Sequence, residues 1–223
     1  MTEVVIAGIG QTPVGEHWDI SLRDLALKAI EAAIQDGAGL QPQALYIGNM
    51  LAPVISGQSQ LGALIADYAG LGWVEACVVE AAGASGGAAL RQGFLAVASG
   101  LLDMVLVVGV EKFPDQLGTV VDAALATGMD SDHEAVQGLT PNAQAALMMR
   151  RYMHEYGVAR EVFGSIPLIT HANGVGNKNA MYRKAISLEA YNGAGIVDDP
   201  LNLFDVAPLA DGAAALLLTR PEL

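Results

Sequence analysis

The apolar positions along the chain follow two rhythms. Short β-branched runs have strand length: "EVVIAGIG", "ALYIGNML", "EACVVEAA" and "DMVLVVGVEKF", with a last run from Ala213 to Thr219. Helical spacing fills the gaps between the first four. In "SLRDLALKAIEAAIQDG" the residues Leu22, Leu25, Ala26, Ala29, Ile30 and Ala33 share one face. Ser21, with Asp24 three residues on, forms the N-terminal cap of that helix, and Gly37 suits its stop. In "SQLGALIADYAGLG" the residues Leu61, Leu64, Ile65 and Tyr68 align. A third helix opens at Ser85. Strands separated by helices predict parallel neighbours with right-handed crossovers, an α/β sheet.

The third helix breaks the one-faced pattern. From Ser85 to Ser99 only Arg91 and Gln92 are strongly polar. A helix on one outer face of a sheet needs a single apolar stripe, and one that is apolar all round has to be covered twice. Several hundred Å² left wet would forgo roughly 10 kcal/mol at about 25 cal/mol per Å². The pattern therefore predicts a second layer from another chain. From about Leu117 the rhythm weakens. "TVVDAALATGMDSDHEAVQGL" has no clear period, Pro141 to Tyr156 and Arg160 to His171 read as helical, and "NGVGNKNAMYRKAIS" is a polar connection. Residues 117–199 are expected to form a long insertion into a core of 1–116 and 200–223.

Composition narrows the function. Hydrophobic residues make up 52% and charged residues 16%, below the roughly 25% of soluble domains. That again points to an oligomer. The net charge of −13 disfavours nucleic acid and anionic membranes as partners. Yet six of the eleven basic residues lie between Arg150 and Lys184, against only Glu155 and Glu161. An anionic ligand, if bound, is expected there, although a solvated face gives the same pattern. With one cysteine, neither a disulfide framework nor a cysteine-rich metal site is expected. "MTEVVIAGIG" lacks the features of a signal peptide, which places the expected location in the cytoplasm.

Four local motifs invite chemistry. "GIGQTPVG" follows a strand, but Pro13 stands where a dinucleotide fingerprint needs its third glycine, so a glycine-lined loop is the simpler reading. Gly83, Ser85 and Gly87 match G-x-S-x-G between a strand and a helix, with Asp130 or Asp132 and then His171 in a permissible order. The plainer reading makes Ser85 a helix cap. Cys77 lies in a strand, roughly 20 Å before the bend at about 3.3 Å per residue, with nothing basic beside it. "DSDHE" lacks the glycine and distant glutamate of a calcium loop, so a solvated acidic loop is expected and no metal. Of the histidines only His171, at a helix end in the basic window, is retained as a candidate.

Taken together, "GIGQTPVGEH", "DLALKAIEAAIQDGAGL", "VEAAGASGGAALRQG", "RRYMHEYG", "HANGVGNKNAMYRKAIS" and "DPLNLFDVAPLADGAAALLL" resemble the N-terminal half of the thiolases. The branch is that of the sterol-carrier-protein thiolases and archaeal acetyl-CoA acetyltransferases. The resemblance implies a five-stranded mixed sheet with helices on both faces and a long insertion before the last strand. It also implies acyl transfer on coenzyme A through a cysteine at the bend before the third helix. In this chain Gly83 occupies that position, so only backbone is offered there. His171 is the further catalytic candidate, and Arg150, Lys178, Arg183 and Lys184 are the candidates for coenzyme A, bound as a thioester substrate rather than a cofactor. Thiolases carry a second, similar half with another catalytic cysteine and histidine. The sequence ends at Leu223, where that half would begin. A split gene, a fragment or a reduced protein would each account for this, and a complementary polypeptide is the implied partner. Relatives without the cysteine are retro-aldolases of acyl-CoA thioesters, often paired with a small OB-fold subunit. Carbon–carbon cleavage of a β-hydroxyacyl-CoA is thus the expected chemistry. A substituted thiolase and a non-catalytic acyl-CoA scaffold are the alternatives.

Overall fold

The computed structural model describes residues 3–223, which divide into two compact units. The first comprises residues 3–117 with Ala210–Leu223, and the second Gly118–Leu209. In chain order the first unit begins with strand β1 (Val5–Gln11), helix α1 (Leu22–Asp36), strand β2 (Ala44–Gly48) and a short helix α2 (Ala52–Ile55). Helix α3 (Leu61–Tyr68), strand β3 (Glu75–Val79), helix α4 (Ser85–Ala98) and strand β4 (Met104–Glu111) follow. The second unit holds helices α5 (Gly118–Leu125), α6 (Pro141–Tyr156), α7 (Ser165–Gly174) and α8 (Leu188–Asn192), then strands β5 (Ile196–Asp198) and β6 (Leu201–Asn202). Strand β7 (Gly212–Thr219) completes the first unit.

The sheet of the first unit has the order β1-β7-β4-β2-β3. Strands β3, β2 and β4 are parallel, as the strand–helix rhythm predicts. Strand β7 enters antiparallel between β4 and β1, which makes the sheet mixed. No short helical crossover leads into β7, so nothing forces it to run with its neighbours.

Helices cover both faces. Leu25, Ala29, Ile30 and Ala33 of α1, with Leu61 and Ile65 of α3, pack on Leu45, Ile47, Leu106, Val108 and Leu217. Ala89, Ala96 and Val97 of α4 pack on Tyr46, Val105, Val107 and Leu218 across the other face. The capping box read at Ser21 and Asp24 is present, with each side chain accepting from the other's backbone N–H. The glycines of "GIG" lie in β1 itself rather than in a loop. A Cβ at Gly8 or Gly10 would come within 2.2 Å of the Ala33 carbonyl or 2.0 Å of that of Ala29. They allow α1 to approach the strand closely, which accounts for the motif without a nucleotide.

In the second unit Ala146 and Met149 of α6 pack with Leu201, so the segment from Pro200 to Leu209 belongs here. The helix read from Arg160 begins as a tighter turn over Arg160–Gly164 before α7. Tyr191 is the hub. It is fully buried and donates its phenol O–H to Asp205 at 3.0 Å, and the guanidinium of Arg160 lies 5.4 Å from its ring centre. Burial and the Asp205 carboxylate push the Tyr191 phenol up to about 12. Among the described residues, no helix is long and apolar enough to cross a membrane.

Candidate active site

The bend between β3 and α4 is a single turn of tighter helix, Ala82–Ala84, closed by Ser85. The Ser85 hydroxyl donates to the Ala82 carbonyl at 2.7 Å and accepts the Ala81 N–H at 2.9 Å. It is therefore tied into the bend's own backbone and lacks the imidazole partner that a serine nucleophile requires. The Glu80 carboxylate accepts the Ala82 N–H at 2.5 Å. Ala82 itself sits at φ 47°, a left-handed conformation unusual for a residue with a side chain. Strain of that kind marks a bend fixed by its surroundings. Gly83, next along, is exposed, and a Cβ built there meets nothing within 4 Å. Its φ lies outside the left-handed region, so the backbone does not demand glycine.

Gly48 of β2 fixes where α4 begins. A Cβ at Gly48 would lie 2.6 to 2.7 Å from Gly86 and Ser85 backbone atoms, so helix and strand are in close contact there. Cys77 pairs with Tyr46 in the middle of β3 and β2, below the bend. Burial, then the Glu75 charge, pushes its thiol up, the reverse of an activated nucleophile.

Two groups, one partly and one fully buried, were not singled out by sequence. Glu111, the last residue of β4, accepts the Met50 and Leu51 N–H groups through Oε1, at 2.6 and 3.0 Å. Its Oε2 is buried without a hydrogen-bond partner. Burial pushes the Glu111 carboxyl up, and the backbone donors and Asn49 offset this only in part. On the opposite sheet face, buried Lys112 pairs with Asp211 at 3.2 Å and Asp115 at 2.8 Å. Asp211, fully buried, also accepts the His17 and Phe113 N–H groups. That network joins the ends of β1, β4 and β7. The available sequence signal was "GVEKF", two charges ending an otherwise apolar strand, since buried charges need partners.

In the second unit His171 lies in α7. Its Nδ1 is 3.1 Å from the Lys184 carbonyl, which can only accept, so Nδ1 donates there and, in the neutral ring, Nε2 is left as an acceptor. The ring stacks on Tyr182, with centres 6.4 Å apart, and meets Phe204 edge-on at 5.6 Å. It borders an apolar cavity of about 450 Å³ lined by Met149, Phe163, Ile166, Leu201 and Phe204. Arg150 is committed to an ion pair with Asp199, and Arg151 to Glu155. Lys178, Arg183 and Lys184 are exposed and make no ion pair among the described residues. Those residues also include no cluster of three or more metal-ligating side chains.

With this geometry established, the comparisons fix the class. The model of the thiolase N-terminal domain matches residues 4–222. The chain belongs to the thiolase family, as its N-terminal half. It is 43% identical to an acetyl-CoA acetyltransferase of Methanothermobacter thermautotrophicus, over all of this chain and 58% of that protein. It is 32% identical to a steroid side-chain-cleaving aldolase of Thermomonospora curvata, over 97% of this chain and 56% of that protein. Among solved structures, the Ltp2-ChsH2(DUF35) aldolase superposes with a TM-score of 0.73 at 28% identity, covering 98% of this chain and 56% of that one. The chain thus spans somewhat more than half the length of these relatives.

Proposed function

We propose that the protein is the acyl-CoA-binding half of a thiolase-fold enzyme that cleaves the carbon–carbon bond of a β-hydroxyacyl-CoA by a retro-aldol reaction. The observation that carries this reading is Gly83. The bend is intact, space beside it is open, and the position has no thiol to form an acyl-enzyme. Backbone N–H groups at the start of α4 remain to polarise a thioester carbonyl and hold the enolate that follows. A retro-aldol reaction needs that stabilisation and no covalent intermediate. Two relatives named as aldolases support the reading.

Lys178, Arg183 and Lys184 are proposed to meet the phosphates of coenzyme A, with Arg150 joining only by releasing Asp199. His171 is proposed to face the acyl portion through its free Nε2. A complementary thiolase half is proposed to cover the outer flank of α4, and a small OB-fold subunit is the further partner to seek. The test uses the complex purified from its native source. Incubated with 3-hydroxybutyryl-CoA, it should release acetaldehyde and acetyl-CoA; binding without release would leave an acyl-CoA scaffold.

One observation favours a second reading. The room beside Gly83 fits a cysteine, and the 43% identity is to an acetyltransferase. If the chain is a thiolase that lost its thiol, Gly83→Cys in the same complex should restore cleavage of acetoacetyl-CoA by coenzyme A. In a retro-aldolase it should not.

A further inference from the structure

Glu111 stands where the retro-aldol reading lacks a residue. Val105, Val107, Gly109 and Glu111 alternate onto the sheet face that α4 covers. The Gly83 bend lies at the same end of that face. Gly48 pairs with Gly109 on one side and Val79 on the other, and α4 begins against Gly48. Neighbouring strands are about 4.8 Å apart, and Glu111 reaches back over the end of β2, so its carboxyl is about one strand from the bend. Beside Glu111 the same face is bare: Gly109, two residues before it, has open space where a side chain would stand, and its neighbour on β7, Ala214, is exposed.

The other groups at this end are spent. Ser85 is bound into the bend, and Glu80 accepts the Ala82 N–H. Lys112 belongs to the opposite face and is paired twice. Glu111 alone keeps one carboxyl oxygen without a partner while the other is anchored by two backbone donors. A buried polar atom left unmatched in a folded protein calls for an explanation. The terminal torsion of glutamate is broad and two-fold, so the free oxygen can turn toward the bare strip.

Building on the retro-aldol reading, we propose that Glu111 is its catalytic acid–base residue. The Glu111 carboxylate takes the proton of the β-hydroxyl group, and the β-carbon becomes a carbonyl. The bond between the α- and β-carbons breaks, and its electron pair passes into the thioester as an enolate held by the bend's N–H groups. The carboxylic acid then returns the proton to the α-carbon. The products are an aldehyde or ketone and a shortened acyl-CoA, with no oxidant or co-reactant consumed. The raised proton affinity of the buried carboxyl suits it to both steps.

The test compares wild-type, Glu111→Gln and Glu111→Asp complexes in two assays. The first is cleavage of 3-hydroxybutyryl-CoA; the second is exchange of the methyl protons of acetyl-CoA with deuterium oxide. Binding of acetyl-CoA by calorimetry serves as the control for folding. The expected result is loss of about 10²- to 10⁴-fold in kcat and in exchange for Glu111→Gln, with KM and binding little changed. Glu111→Asp should recover part of both. Cleavage by Glu111→Gln at the wild-type rate overturns the role of Glu111 and leaves the retro-aldol reading standing. Glu111-dependent exchange without any cleavage supports the role and overturns the retro-aldol reading. A wild-type complex that does neither overturns both.

Discussion

A methyl group at Gly83 enters empty space, whereas one at Gly48 meets the backbone of Ser85 and Gly86. The two glycines should respond oppositely to the same change. Gly83→Ala removes freedom from the unfolded chain without a clash, so it should be neutral or stabilising by up to about 1 kcal/mol. Gly48→Ala forces strand and helix apart and should destabilise by at least about 1 to 3 kcal/mol, as overpacking does. Thermal unfolding of the two variants checks the contrast. Glu111 gives a prediction of a different kind. Its folded-state carboxyl is raised above the ordinary 4.5, so the neutral form favours folding. That contribution is complete below pH 4.5 and is lost as pH rises through the folded value. The Tm of the wild type relative to Glu111→Gln should therefore fall as the pH is raised from 4.5 toward neutrality. From the sequence, Gly83 was legible only through the family resemblance, and Glu111 was not legible at all. Periodicity gives the bend but not what is missing from it; that came from the resemblance. The donors to Glu111 lie about sixty residues away, at Met50 and Leu51.

At the scale of elements, local signals carried far where burial is periodic. Helix α1 buries the six positions that its spacing identified, and α6 runs from Pro141 to Tyr156 as read. The five core strands were each marked by an apolar run. What escaped notice is short or held by particular side chains. Helix α5 has eight residues and buries only Val121 and Ala124. The β5–β6 pair stands next to Asn202, whose side chain donates to the Tyr191 carbonyl, and to Asp205, which accepts the Asn202 N–H. No period records such contacts. The cap of α1, by contrast, is a local device with a local test. Ser21→Ala removes the acceptor for the Asp24 N–H and should cost about 1 kcal/mol. In a chain of this size that lowers Tm by about 2 to 4 °C in a thermal scan. Asp24, whose hydrogen bonds to Ser21 and Tyr68 hold its carboxyl down to about 2, adds support above its ordinary 3.8 that fades as pH falls toward 2.

At the scale of the whole molecule, the open flank of α4 decides whether this chain acts alone. Leu90, Phe94 and Leu95 are 37%, 44% and 42% exposed, although the helix carries little polarity to hold water there. Leu90 and Phe94 also border a hollow of about 410 Å³ with Val4, Val5, Ile6 and Leu218, so the apolar surface runs from α4 onto β1. Ile6 and Ile9 extend it, at 58% and 59% exposed. Contiguous apolar patches of this kind mark surfaces that another protein covers. Phe94 is not part of the buried core, so Phe94→Asp should leave the circular dichroism spectrum of the isolated chain unchanged and lower its Tm only modestly. In an interface the same carboxylate would be buried without a partner, which is strongly unfavourable. Sedimentation velocity of the native complex assembled with Phe94→Asp should therefore show dissociated components where the wild type shows one assembled species. An assembly that forms equally well with the aspartate would mean that the flank faces solvent and that the second layer lies elsewhere.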